Sequence, residues 1–292
     1  MLSLTVLNAY CRNVTNLQGL EAARSLTSLS LDHNLLTDFS IASGLTNLIR
    51  LDLSFNSLTN VSIPSSLTNL ATLLIQGNRL THLNLPDGLT ALGKLDLDDN
   101  QLTRFTLPAD MTSLNSLNLA ENQLTSFDLP AGMTNLAGLF LFSNQLTSLV
   151  LPAGLTRLTT LDLAGNQFTT ITLPPDMQQL TGFFVDRNPL TTLVLSEPSA
   201  ATNLAGTITS LRDQGISVFT YPLAVRLLLP RRTVAGAFQF TLTGPPGVYT
   251  VLASSDLATW SELGAATNLL GSVEFTDETT ELSAQKFYSA RQ

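Results

Sequence analysis

Few side chains in this chain have the types and spacing needed for chemistry. There are two histidines, His33 and His82, and one cysteine, Cys11. No H-E-x-x-H, no G-x-S-x-G and no phosphate-binding loop can be found. A cluster of acids stands out instead: Asp96, Asp98, Asp99 and Glu121. Clustered carboxylates of this kind serve a basic partner, weak Ca²⁺ binding, or a solvated surface that keeps the chain soluble. Phe140, Phe142 and Phe184 form a second set. Outward phenylalanines mark a contact site, unless the chain itself or a second copy covers them. Asp52, Asn118 and Asp162 complete the candidate binding residues. Further on, Asp256, Asp277 and Glu278 read as turn residues, which leaves an enzyme in the last part of the chain without support.

What must position these groups is a 22-residue phrase written nine times between Leu4 and Leu195. Its leading leucine falls at Leu4, Leu26, Leu48, Leu70, Leu92, Leu114, Leu136, Leu158 and Leu180. Three residues on come Leu7, Leu29, Leu51 and so forth to Phe183. Two more reach Ala9, Leu31, Leu53, Ile75, Leu97, Leu119, Leu141, Leu163 and Val185. The next fixed column is Arg12, then Asn34, Asn56, Asn78, Asn100, Asn122, Asn144, Asn166 and Asn188. Leu-x-Leu has the period of a strand whose alternate side chains point inward. Each strand is too short to stand alone, so the strands must stack into a parallel sheet. Nine steps make a spine of roughly 40 Å. The asparagines form an expected ladder, because a buried amide can both donate and accept where the chain turns inside a dry interior.

The pattern L-x-x-L-x-L-x-x-N-x-L resembles the leucine-rich repeat, in the short form found in bacterial proteins. The resemblance implies a right-handed horseshoe of parallel strands with few helices and a concave binding face. A threonine recurs in all nine repeats, from Thr15 to Thr191, where its hydroxyl is expected to bond to turn backbone. A proline recurs in six: Pro64, Pro86, Pro108, Pro130, Pro152 and Pro174. Proline there argues for extended segments and short turns on the convex side. On this frame the acids and phenylalanines occupy outward strand positions. His33 shares that face, whereas His82 points to solvent beside the threonine column, so the two are not expected to meet. Cys11 reads as a small, partly buried apolar residue.

After the array (1–195), residues 196–221 read as a cap. Leu204, Ile208 and Leu211 have helical spacing, Gly215 is a stop, and Ile216–Tyr221 is a strand. Residues 222–292 have no 22-residue period. Alternating stretches at 224–229, 238–242, 248–253, 273–275 and 286–290 imply about five strands of a small antiparallel β-sandwich. The run F-x-F-x-L-x-G-x-x-G-x-Y-x-V from Phe238, then S-S-D-L-x-x-W, F-T-D and K-F-Y-x-A-R, resembles a β module at the C-termini of large secreted bacterial proteins. That resemblance implies an extracellular accessory module and carries no catalytic role.

Composition narrows the rest. The net charge is −8, charged residues are 12%, and lysine occurs only at Lys94 and Lys286. That excludes the basic footprint of a nucleic-acid binder. No apolar run is long enough to span a membrane. One cysteine allows no internal disulfide. The first residues lack a secretory signal and a polar cap over Leu4 and Leu7, so a truncated N-terminus is expected. The functional expectation is a non-catalytic, cofactor-free receptor or adhesin, extracellular or at the cell surface, that binds a protein or glycan. The alternative is a spacer or stalk from a larger surface protein.

Overall fold

The computed structural model describes residues 4–41, 44–279 and 285–292. Nine three-residue strands form one parallel sheet in sequence order: Val6–Asn8, Ser28–Ser30, Arg50–Asp52, Thr72–Leu74, Lys94–Asp96, Ser116–Asn118, Gly138–Phe140, Thr160–Asp162 and Gly182–Phe184. Every pair is in register at an offset of 22, as in Leu95↔Leu117↔Leu139. The inward leucines, including Leu29, Leu51, Leu73, Leu95, Leu117, Leu139 and Leu161, are fully buried. The inter-coil ladder runs on past the strands. Leu97 N–H donates to Asn118 O at 2.8 Å and Leu119 N–H to Phe140 O at 2.9 Å.

Beyond the ladder each chain turns through one left-handed residue. Cys11, His33, Phe55, Gly77, Asp99, Glu121, Ser143, Gly165 and Arg187 all have φ between 49° and 66°. A non-glycine residue there costs about 1–2 kcal/mol, which the next residue offsets. In eight coils that residue is asparagine, and its side chain ties two coils together. Asn122 Oδ1 accepts from Leu102 N–H at 2.9 Å, while its Nδ2 donates to Leu97 O, Leu119 O and Ala120 O. Asn78, Asn100, Asn144 and Asn166 repeat the same four bonds in their own coils. Cys11 sits in the left-handed column and is exposed, not partly buried as its neighbours suggested, because the chain has already left the core at this step.

The opposite side of the array is built from extended segments and tight turns. Asp38–Ser40 pairs with Asn60–Ser62, and Asp128 bridges Val150. Turns follow the prolines, with Leu67 N–H on Pro64 O and Met111 N–H on Pro108 O. The one helical segment described within the repeats is the single 3-10 turn Leu20–Ala22. The recurring threonine reaches the neighbouring coil instead of its own turn where Thr59 Oγ1 donates to Thr37 O at 3.3 Å.

By contacts the chain divides into residues 1–169 with 179–190, and residues 170–178 with 191–292. In the second unit, Thr170–Thr172, Thr192–Ser196 and Ser217–Tyr221 form a parallel sheet. Ser196 caps the short helix Glu197–Ala201, which the sequence did not signal. Ala205–Asp213 is a second helix, with Leu204, Ile208 and Leu211 buried, and Gly215 at φ 85° ends it. Tyr221 is fully buried, and its hydroxyl donates to Leu173 O at 2.6 Å. Two three-stranded antiparallel sheets follow. One holds Arg226–Arg232, Phe238–Thr243 and Ser272–Asp277; the other holds Ser261–Asn268, Gly247–Ser254 and Phe287–Arg291. They share a core of Phe240, Leu242, Tyr249, Val251 and Ala266, closed by Leu263, Phe275 and Tyr288. Ser261–Asn268 is a sixth strand beyond the expected five. Its Gly264-Ala-Ala-Thr-Asn268 half holds a single strand former, Thr267, and its pairing shifts register opposite Val251 and Leu252.

Two acids of this unit differ in kind. Asp256 is a turn residue, held down to about pKa 2 by the N–H groups of Thr259 and Ala258 and the Ser254 hydroxyl. Asp277 is more than a turn residue: its Oδ1 accepts the Thr279 N–H two residues on at 2.9 Å, as in an Asx turn, and it has further partners. It is buried at a strand end and accepts from Lys286 Nζ, Thr279 Oγ1 and Tyr288 Oη.

Candidate binding face

Three rows of side chains leave the solvent face of the nine-stranded sheet. The central row reads Asn8, Ser30, Asp52, Leu74, Asp96, Asn118, Phe140, Asp162 and Phe184, one per strand and in register. The carboxylates and amides of this row serve the fold first. Asn8, Asp52, Asp96, Asn118 and Asp162 each accept, through Oδ1, the N–H two residues on. That N–H points away from the inter-coil ladder, so the side chain supplies the partner it would otherwise lack. Asp52 is consumed entirely: Ser54 N–H and Oγ take Oδ1, and Arg50 takes Oδ2 at 2.8 Å. It is buried and has little left for a ligand.

Asp96, Asp98, Asp99 and Glu121 form one electrostatic group. Burial pushes Asp98 up to about pKa 6, and the charges of Asp96, Glu121 and Asp99 push the same way. Burial also raises Asp96, against the opposing Asp98 N–H and Lys94, whose Nζ stands 3.8 Å away. The buried Oδ1 of Asp98 has no hydrogen-bond partner among the described residues. No set of three His, Cys, Asp or Glu side chains is placed to hold a metal ion among the described residues. Because folded Asp98 holds its proton more tightly than an unfolded Asp, its contribution to stability falls as pH rises from about 4 to about 6. Asp98→Asn is therefore expected to leave the melting temperature at pH 4 unchanged. At pH 7 it should raise it by roughly 2–4 °C, on the order of 1 kcal/mol after solvent screening. Thermal melts at the two pH values check this.

The phenylalanines lie at the far end of the acid group. Phe184 is 47% exposed, whereas Phe140 and Phe142 are half-buried rather than fully exposed. Phe140 and Phe184 each have a glycine seat. A Cβ on Gly138 would stand 2.9 Å from the Phe140 ring, and one on Gly182 would stand 3.3 Å from the Phe184 ring. Without those methyls each ring lies down against its own strand. Asp162 stands between Phe140 and Phe184 in register, and its carboxyl is raised by burial and by the charge of Asp186. Beside this row, Phe142, Asp162, Ala164, Gly165, Asp186 and Arg187 line an open basin of about 470 Å³.

Two aromatic features escaped the sequence reading. His33 packs between Tyr10, edge-on, and Phe55, tilted, with ring centroids 5.1 and 4.5 Å apart, and its Nδ1 is 3.3 Å from Asp32. The Phe55 ring in turn fills the space over Gly77. The signal was present as His33, Phe55 and Gly77 at intervals of 22 in the left-handed column. His82, by contrast, is exposed beside Thr81 on another face.

Comparisons with known proteins agree with this geometry. The family model described as "BspA type Leucine rich repeat region (6 copies)" matches residues 8–95, and "Leucine Rich repeats (2 copies)" matches 134–175. The chain folds as a leucine-rich repeat solenoid followed by a small antiparallel β-sandwich, and its repeats are similar to those of bacterial leucine-rich repeat proteins. It is similar to the functional domain of InlJ from Listeria monocytogenes at 27% identity and TM-score 0.51, over 67% of this chain and 49% of that one. That domain includes a cysteine ladder, which a chain with a single cysteine cannot form. An LRR protein of Leptospira interrogans matches at 29% identity and TM-score 0.45, over 70% of this chain and 51% of that one. The chain thus spans about half the length of these relatives. No curated protein matches it significantly. No helix among the described residues is long and apolar enough to cross a membrane.

Proposed function

We propose that this is a non-catalytic recognition protein, extracellular or displayed on a bacterial surface, that binds a partner protein on the strand face between Asp96 and Phe184. The observation that carries the reading is the Phe140–Asp162–Phe184 row beside the 470 Å³ basin. A largely exposed phenylalanine and a carboxylate raised by burial cost free energy in the unbound state, and both improve when a partner covers them. The division into array (1–195), cap (196–221) and sandwich (222–292) belongs to the same proposal, with the sandwich as a spacer, anchor or second module. A spacer role for the whole chain is the second reading. It is favoured by the acids of the central row, which give one oxygen to their own backbone and, in Asp52, the other to the Arg50 guanidinium.

The test is a binding screen of the full chain against extracellular proteins and glycans, with a Phe140→Ser, Phe142→Ser variant in parallel. A protein ligand lost in the folded variant supports the recognition reading. A glycan ligand lost in the same way keeps the face and changes the partner class. A ligand bound equally by both proteins removes the site.

A further inference from the structure

The spacing of the charged groups narrows the class of partner, a step that rests on the strand-face reading. Along the central row Asp96 and Asp162 are three strand steps apart, through Asn118 and Phe140. Adjacent strands are about 4.8 Å apart, so the two carboxylates are separated by about 14 Å. A peptide in extended conformation advances about 3.4 Å per residue, so residues four apart on it are also separated by about 14 Å, on the same side. The residue midway between them, on that same side, arrives after about 7 Å, between Asn118 and Phe140 and beside the half-buried rings.

The two ends are electrically alike and differ from the middle. At one end Asp98 and Glu121 add to Asp96 and outnumber Lys94, whose Nζ is 3.8 Å from Asp96, and at the other Asp186 adds to Asp162 beside Arg187. Asp162 has one described hydrogen bond, from Ala164 N–H to Oδ1, which leaves Oδ2 for a ligand. It also stands between two phenyl rings, the environment in which a cation is held by both charge and ring face. We propose that the strand face takes an extended segment of a partner protein that crosses the strands. This segment carries two basic residues four positions apart, with an apolar residue midway between them.

The probe is a fluorescein-labelled peptide, Arg-Ser-Leu-Ser-Arg flanked by glycines, titrated with the full chain by fluorescence anisotropy. Ionic strength is held at about 0.15 M, where the Debye length is about 8 Å and distant charges are screened. Two peptides of the same composition, with the arginines two and six apart, run beside it. The expected result is at least about tenfold tighter binding of the four-apart peptide, and about a tenfold loss with Asp162→Asn. Asp128→Asn, on the opposite side of the array, should leave binding unchanged. Equal binding of all three peptides, no binding of any, or indifference to Asp162→Asn overturns the proposal. If peptides fail but a protein ligand is still released by Phe140→Ser, Phe142→Ser, the strand-face reading stands and the basic pair alone falls. A ligand indifferent to those serines removes both.

Discussion

Replacing Asp277 with alanine is expected to lower the stability of the C-terminal unit by about 3 kcal/mol. Asp277 is 3% exposed and accepts from Lys286, Thr279 and Tyr288. Burial opposes its charge, but four donors, the three side chains and the Thr279 N–H, outweigh burial and hold its carboxyl below the ordinary Asp range. Alanine leaves the Tyr288 hydroxyl without its acceptor and the half-buried Lys286 ammonium without its counter-charge, with only the neutral Thr279 O and Oγ1 still accepting from it, and removing one partner of a buried pair costs more than the pair contributes. The single tryptophan, Trp260, lies in this unit and reports its unfolding by fluorescence. The fluorescence midpoint should fall by roughly 10–20 °C. A fall of only a degree or two would mean that Lys286 and Tyr288 find water instead. The pH dependence has the sign opposite to that of Asp98. A carboxyl held low contributes stability above its unfolded pKa of about 4, and that stability is lost as the pH falls further. Acid should therefore loosen the C-terminal unit through Asp277 while relieving the array through Asp98.

The second large effect is expected from Asn122→Leu. Leucine has a similar size but no amide, so Leu102 N–H and the carbonyls of Leu97, Leu119 and Ala120 lose a partner inside the core. The cost is about 1–3 kcal/mol. Each coil of a solenoid contacts only its neighbours, so a weak central coil divides the array into two shorter ones. Urea unfolding followed by circular dichroism should show a lower midpoint, and a shallower slope if the two halves separate. Arg12→Leu is the control. Arg12 occupies the same column in the first coil, is exposed, and engages Asn34 through its backbone N–H. No change in midpoint is expected there.

These residues also show what could be read from the chain without coordinates. The Leu-x-x-Leu-x-Leu period and the asparagine phase fix which side chains point inward, because every coil repeats one local geometry. The prolines announce turns where a helix would otherwise form, and the turns at Pro64 and Pro108 have that form. What could not be read depends on non-local contacts or on the absence of a side chain. Phe140 looks fully exposed from its phase and is half-buried, its ring lying in the space that Gly138 leaves open. Asp52 looks like a ligand-facing acid and is taken up by Ser54 and Arg50. Asp277 reads as a turn residue and does take the Thr279 N–H, but its pairing with Lys286, nine residues on, is not local and could not be read. The strand Ser261–Asn268 is held by its pairing with Gly247–Ser254, against its own composition.

The most direct measurement for the strand-face reading is the affinity of a protein ligand for three versions of the full chain. These are the unaltered protein, an Asp98→Lys, Phe142→Ser variant, and an Asp128→Lys, Val150→Ser variant. The last makes the same change of charge and removes a 74% exposed valine on the opposite side of the array. At least about a tenfold loss is expected for the strand-face variant and none for its matched control. Equal losses in both, or a loss confined to the control, would contradict it.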